Sequence, residues 1–173
     1  LKINFSGCSR VPNWLGSLVN LQRLCLQLNE VRHDDICILG ALPTLVDLIL
    51  KRGPDGLTRI SYYGFNFNYS KLRISRDVGF PCLRQFYFDA YYYPLHLMFE
   101  VGSVPRLDKL TMAFCLDRDI EDGVFNFGIE DLPNLLILTC IIASGHMYKA
   151  AKAAAERTAK AHPNKPTLFC YSS

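Results

Sequence analysis

A short pattern of apolar and polar positions recurs along the chain. It reads L-x-x-L-x-L, with Phe, Met or Cys in place of some leucines, and its five copies occupy residues 21–26, 45–50, 83–88, 107–112 and 135–140. In every copy the fourth and sixth residues are apolar and lie two positions apart, which puts them on the same face of a β-strand. The residue between them faces the other way. The pattern therefore predicts five short strands, each with two inward apolar side chains.

The spacing of the copies identifies them as structural repeats. Their first residues are 21, 45, 83, 107 and 135, so the intervals are 24, 38, 24 and 28 residues. Three of these four intervals fall within the roughly 20 to 29 residues of a leucine-rich repeat. Pro43, Pro81, Pro105 and Pro133 each stand two residues before a copy, as turn residues that lead into a strand. The long interval predicts an insertion at about residues 51–79.

A single repeat of this kind is too small to fold alone. Each buried leucine contributes about 1.5 to 3 kcal/mol, whereas ordering each backbone residue costs about 1 to 2 kcal/mol. Stacked repeats share their apolar rows and so become stable together. We therefore predict an α/β fold, a leucine-rich-repeat solenoid or horseshoe over residues 1–142, with a parallel concave sheet and an irregular convex side.

The segment 143–173 is expected to close the solenoid. Residues 143–161 are rich in alanine and predict a helix with a weak apolar stripe. We interpret it as a C-terminal capping helix, with a surface helix for anionic lipid or calmodulin as the alternative. Thr167–Cys170 predict a final strand. At the other end Leu1–Phe5 read as the middle of a strand, so we expect the chain to be the end of a longer array.

The outward strand residues are the candidate binding surface. Between the inward positions they should line the concave face, and their mixed charge with a central tyrosine suits a protein partner. The candidate protein-binding residues are Arg23, Gln27, Asp47, Lys51, Gln85, Tyr87, Asp89, Lys109 and Thr111, flanked by Lys2, Asn4, Cys25, Ile49 and Ala113.

Two parts of the chain allow more than one interpretation. The aromatic residues within 62–69 and 91–93 either pack under convex loops or form an exposed contact patch.

Residues 72–74 alternate between apolar and polar side chains, which predicts an additional short strand within the insertion.

Composition and motifs argue against catalysis, metal binding and nucleic-acid binding. The net charge is +3, and the basic residues are scattered apart from one Ala/Lys stretch, unlike a nucleic-acid footprint. No apolar run reaches the roughly 20 residues of a membrane span. The chain has none of the common phosphate-loop, dinucleotide-binding, zinc-protease or serine-hydrolase motifs. The acidic residues within 117–122 lack the pattern of a calcium loop. We expect no enzyme activity and no cofactor in this chain.

The cysteines predict free thiols. There are seven, an odd number, and no two of them form a C-x-x-C pair. Cys25, Cys140 and Cys170 fall at strand positions. This usage is typical of unpaired thiols in a reducing compartment, and the isolated histidines argue against a zinc site.

Several segments together resemble one known family. They are 11–21 (VPNWLGSLVNL), 39–43 (LGALP), 79–83 (GFPCL), 128–133 (GIEDLP) and 162–168 (HPNKPTL). In this order, and with the alanine-rich helix before the last, they resemble the C-terminal leucine-rich-repeat region of plant nucleotide-binding leucine-rich-repeat disease-resistance proteins of the coiled-coil class.

The resemblance implies the ligand-recognition and autoregulatory region of an intracellular plant immune receptor. Its partners would be a pathogen effector or a guarded host protein, and an upstream nucleotide-binding domain of the same chain. ADP or ATP would bind that upstream domain. The location implied is the cytoplasm, with the nucleus and the plasma-membrane surface as further sites for the family. The alternatives are a substrate-recruiting adaptor of a ubiquitin ligase, or a scaffold.

Overall fold

The computed structural model describes residues 1–29, 31–52, 71–90, 96–114, 128–145 and 148–173. They form short parallel strands joined by turns and small convex elements. In chain order the elements are β1 (Lys2–Cys8), a 3-10 helix (Asn13–Ser17), β2 (Arg23–Leu28), α1 (His33–Gly40), β3 (Asp47–Arg52), β4 (Lys71–Ile74), β5 (Gln85–Ala90), β6 (His96–Phe99), β7 (Lys109–Phe114), β8 (Ile137–Ile142), α2 (Tyr148–Ala161) and β9 (Thr167–Ser172).

The main sheet has the topology that the repeats predict. Its seven strands lie in the order β1-β2-β3-β5-β7-β8-β9, and every neighbouring pair is parallel. All five L-x-x-L-x-L copies contribute one strand each, and β1 and β9 extend the sheet at its two ends. The predicted α/β solenoid with a parallel sheet is confirmed.

The inward side chains form two rows that cross the whole sheet. Strand register aligns each inward residue with its equivalent in the next repeat, so that apolar groups stack from strand to strand. From β2 to β8 the side chains of both rows are buried. The rows are Ile3, Leu24, Leu48, Phe86, Leu110, Leu138 and Leu168, and Phe5, Leu26, Leu50, Phe88, Met112, Cys140 and Cys170.

The convex side is irregular, as predicted. It carries the 3-10 helix, α1, β4, β6 and α2 in turn, and β4 pairs with β6 in a second, two-stranded parallel sheet. The extra strand expected at residues 72–74 is therefore present as β4, but outside the concave sheet. Its Leu72 and Ile74 are buried, together with Leu97 and Phe99 of β6.

The insertion enters at one point of its repeat. The number of residues from the start of a convex element to the start of the following main-sheet strand is nearly constant. It is 14 from α1 to β3, 14 from β4 to β5 and 13 from β6 to β7. The additional length thus lies between Arg52 and Lys71. Register is unaffected, because β3 pairs directly with β5.

Equivalent turns join the repeats. Just before four of the strands, the N–H of the first pattern leucine donates to the carbonyl three residues earlier, as in Leu21 to Leu18 and Leu107 to Val104. The residue that follows the proline of a turn also donates a side-chain hydrogen bond to the preceding repeat. Thr44 Oγ1 donates to the Val19 carbonyl at 2.7 Å.

Two glycines permit close contact between neighbouring repeats. A Cβ at Gly40 would collide with the carbonyl oxygen of Val78, and one at Gly79 would lie 2.7 Å from the carbonyl oxygen of Ser103. The N–H of Phe80 donates to that same Ser103 oxygen at 2.8 Å. Glycine is thus required at both positions by the close backbone approach of the next repeat.

A buried carboxylate fastens α1 to the rest of the solenoid. Asp35, in the first turn of α1, is 2% exposed. It accepts hydrogen bonds from the N–H of Val11 at 2.8 Å and from the N–H of Arg32 at 2.9 Å. The carboxylate thereby caps its own helix and links it to the preceding repeat.

The alanine-rich segment forms the expected helix, with a later start. Residues 143–145 lie outside α2, which begins at Tyr148 within the described residues. Ala151, Ala154, Ala155 and Ala159 are buried, and α2 packs against β8 and β9. The predicted final strand is present as β9. The aromatic residues of 62–69 and 91–93 and the acidic residues of 117–122 lie outside the described residues.

We predict that two neighbouring substitutions in β3 lower the stability to very different extents. Leu48→Asp should unfold or aggregate the protein, because it places an unpaired charge in the buried row at a cost of about 4 kcal/mol or more. Ile49→Asp, on the outward side of the same strand, should cost about 1 kcal/mol. Soluble yield and thermal denaturation would measure both, and equal tolerance of the two variants would contradict the register.

A second prediction concerns Asp35. Asp35→Ala leaves two backbone N–H groups without their acceptor, so it should cost about 1 to 3 kcal/mol and lower the melting temperature by roughly 3 to 10 °C. Asp34→Ala is the matched control, since Asp34 is exposed in the same helical turn. A melting temperature equally low for both variants would argue against the role of the two hydrogen bonds.

Candidate protein-binding face

The outward side chains of the seven parallel strands form three rows on the concave side. The first and second rows cross all seven strands, and the third begins at β2. They contain Lys2, Arg23, Asp47, Gln85, Lys109, Ile137 and Thr167; Asn4, Cys25, Ile49, Tyr87, Thr111, Thr139 and Phe169; and Gln27, Lys51, Asp89, Ala113, Ile141 and Tyr171. We call this surface the concave face.

Tyr87 occupies the middle of the concave face. The Nζ atom of Lys51 lies 5.9 Å from the centre of its ring, within the range of a cation–π contact. Partial burial raises the pKa of the Tyr87 hydroxyl above its ordinary value, and the negative charge of Asp89 raises it further. The hydroxyl thus remains protonated at neutral pH and can donate a hydrogen bond to a partner.

The structure brings the nine predicted binding residues onto this one surface, with different degrees of exposure. Four of them are exposed, namely Arg23, Lys51, Gln85 and Lys109. Gln27, Asp47, Tyr87 and Asp89 are half-buried. Thr111 is only 9% exposed, because it lies in the row between the side chains of Tyr87 and Thr139. Little of Thr111 is left for a partner to contact.

Sequence reasoning missed the apolar end of the concave face. Phe169 and Tyr171 of β9 are 43% and 54% exposed, and Ile137 and Ile141 of β8 are half-buried beside them. The alternation of side chains along β8 and β9 does indicate that these residues point outward. These side chains are apolar, however, and so resemble core residues when only the sequence is read.

The concave face therefore changes character along the solenoid. Its first five strands carry the charged residues Lys2, Arg23, Asp47, Lys51, Asp89 and Lys109, whereas β8 and β9 present apolar and hydroxyl side chains. A surface with exposed cations at one end, a central tyrosine and aromatic rings at the other end has the features of a protein-binding site.

Other kinds of site find no support in the described part of the chain. Within it, no three His, Cys, Asp or Glu side chains come together as metal ligands. Its helices include none with the length and apolar character needed to cross a membrane.

A solenoid of this repeat length, with one concave strand per repeat and a buried leucine ladder, belongs to the class of repeat proteins that present a continuous sheet as a binding surface. A family model described as a leucine-rich repeat region matches residues 1–168. The chain belongs to this leucine-rich-repeat family, and the membership indicates a role in protein–protein interaction. No solved structure is significantly similar to the chain.

The environment of Tyr87 gives a third prediction. The difference between the alkaline absorbance titrations of the wild type and of Tyr87→Phe should show a tyrosine with a pKa above 10. Asp89→Asn should lower that pKa, because removing a negative charge favours the phenolate. A difference curve centred at or below 10, or unchanged in Asp89→Asn, would contradict this geometry.

Proposed function

We propose that the chain binds a protein on its concave face as the ligand-recognition and autoregulatory region of an intracellular plant immune receptor. The observation that supports protein binding is the concave face, where exposed charged side chains and aromatic rings lie on one continuous sheet. The resemblance to coiled-coil-class resistance proteins supports the receptor part, through the segments 11–21, 128–133 and 162–168 together with α2.

The composition of the concave face suggests what a partner would look like. Exposed Arg23, Lys51 and Lys109 favour an acidic segment over the first five strands. Phe169 and Tyr171 favour an apolar or aromatic segment at the end of the sheet. A pathogen effector, a guarded host protein or an upstream nucleotide-binding domain of the same protein are the proposed occupants. Binding of this kind needs neither catalysis nor a cofactor in this chain.

The sequence of the complete gene product tests the receptor class. We expect a nucleotide-binding domain with a phosphate loop upstream of the repeats, which would also hold the ADP or ATP. An F-box-like helical segment in that place would favour the ubiquitin-ligase adaptor and contradict the receptor. A scaffold would have neither segment. Each result leaves the binding role of the concave face to a separate experiment.

A fourth prediction tests the concave face in the complete protein. Lys51→Glu and Tyr87→Ala should leave folding intact and change the cell-death response in leaf tissue. The response should start without a pathogen if autoinhibition is lost, or fail with one if recognition is lost. Lys149→Glu, an exposed change on α2, is the matched control.

Lys51→Glu and Tyr87→Ala should each weaken the affinity for the partner at least tenfold, because central interface tyrosines and charged residues can contribute about 1.4 kcal/mol or more. Protein level and melting temperature should equal those of the wild type. If stable face variants respond like Lys149→Glu, the concave face is not the recognition surface.

A further inference from the structure

Two cysteines stand opposite each other in the last two strands of the sheet. Cys140 of β8 and Cys170 of β9 are register partners in one inward row, and both carry free thiols. Within the described strands they are the one pair of cysteines in register, since Cys8 pairs with Leu28 and Cys25 pairs with Asn4 and Ile49.

The two thiols differ in their access to solvent. Cys140 is completely buried, whereas Cys170 is partly exposed in the strand at the edge of the sheet. The thiol of Cys140 makes a hydrogen bond with that of Cys170, and the charges of Lys152 and Glu156 on α2 act on Cys170. A small reagent can therefore reach Cys170 first.

The surroundings also decide which thiol ionises first. Burial raises the pKa of both cysteines, and more strongly for Cys140. For Cys170, Lys152 lowers the pKa, Glu156 raises it, and the hydrogen bond with Cys140 lowers it. The same hydrogen bond raises the pKa of Cys140. Cys170 is thus the nucleophile of the pair, and Cys140 remains protonated beside it.

The spacing of the strands suits a covalent bond between them. Neighbouring strands lie about 4.8 Å apart, and the Cα atoms of disulfide-linked cysteines are roughly 4.4 to 6.8 Å apart. We propose that Cys140 and Cys170 form a peroxide-sensitive thiol pair, which closes to a disulfide and covalently joins β9 to β8.

The reaction proceeds in two balanced steps with hydrogen peroxide as the oxidant. The Cys170 thiolate attacks one peroxide oxygen, an S–O bond forms as the O–O bond breaks, and the departing hydroxide takes up the thiol's proton as water. The sulfur of Cys140 then attacks the Cys170 sulfenic acid. An S–S bond forms, the S–O bond breaks, and the hydroxyl leaves with the Cys140 proton as a second water.

The disulfide would lock the end of the solenoid. It closes a loop that contains α2 and so restricts the separation of β9 from β8. Cross-links over loops of this size commonly stabilise proteins, and we expect the melting temperature to rise by about 5 °C or more on oxidation and to return after reduction.

The fifth prediction is that dilute peroxide links these two residues in the complete chain. Tryptic digestion without reductant separates them, because peptides 119–149 and 161–173 each contain one cysteine. Mass spectrometry should find these peptides joined, with the loss of two hydrogen atoms. Cys170→Ser should abolish the product, while Cys25→Ser, which changes a half-buried thiol on the concave face, should not.

The rate of bridge formation provides a test that does not depend on removing a cysteine. It should increase between pH 7 and pH 9 as Cys170 ionises. Glu156→Gln should accelerate it and Lys152→Gln should slow it, each by about two- to fivefold, because they lower and raise the Cys170 pKa. The proposal is wrong if wild-type Cys170 bridges other cysteines equally well, or if it goes to sulfonic acid without bridging Cys140.

Discussion

The in-register stacking of inward side chains is the constraint on which the rest of the structure depends. Each strand of the main sheet has too little apolar surface to fold by itself. Its two inward residues become buried only when those of the next strand cover them, as Leu48 is covered between Leu24 and Phe86. Parallel strands in constant register are the arrangement that repeats this contact from one end of the solenoid to the other.

The concave face is a direct consequence of this constraint. Once the inward rows are fixed, alternation sends every intervening side chain to the opposite side of the sheet. The residues there are free to vary, because the core does not use them. This freedom explains how one sheet can carry exposed Arg23 and Lys51 toward one end and exposed Phe169 and Tyr171 at the other without a change in fold.

The sequence was most informative where a residue's role depends on its repeat position. The strands, their inward residues and the surface shared by Arg23, Tyr87 and Lys109 follow from the L-x-x-L-x-L copies. The convex elements do not, because each depends on tertiary contacts. The eight residues of α1 are too few for an isolated helix, and Asp35 holds them in place. Likewise, alternation in β4 indicates a strand but not its pairing with β6.

The position of the insertion has a practical consequence. Strand β3 of the main sheet ends at Arg52, and β4 on the convex side begins at Lys71, while β3 and β5 remain direct neighbours in the main sheet. Chain length at this point is therefore uncoupled from the geometry of the ladder, since loop closure becomes only slowly less favourable as a loop grows. A reporter or a second small domain inserted between Arg52 and Lys71 should therefore leave the pairing of β3 with β5 unchanged. This repeat is thus suited to protein engineering by domain insertion.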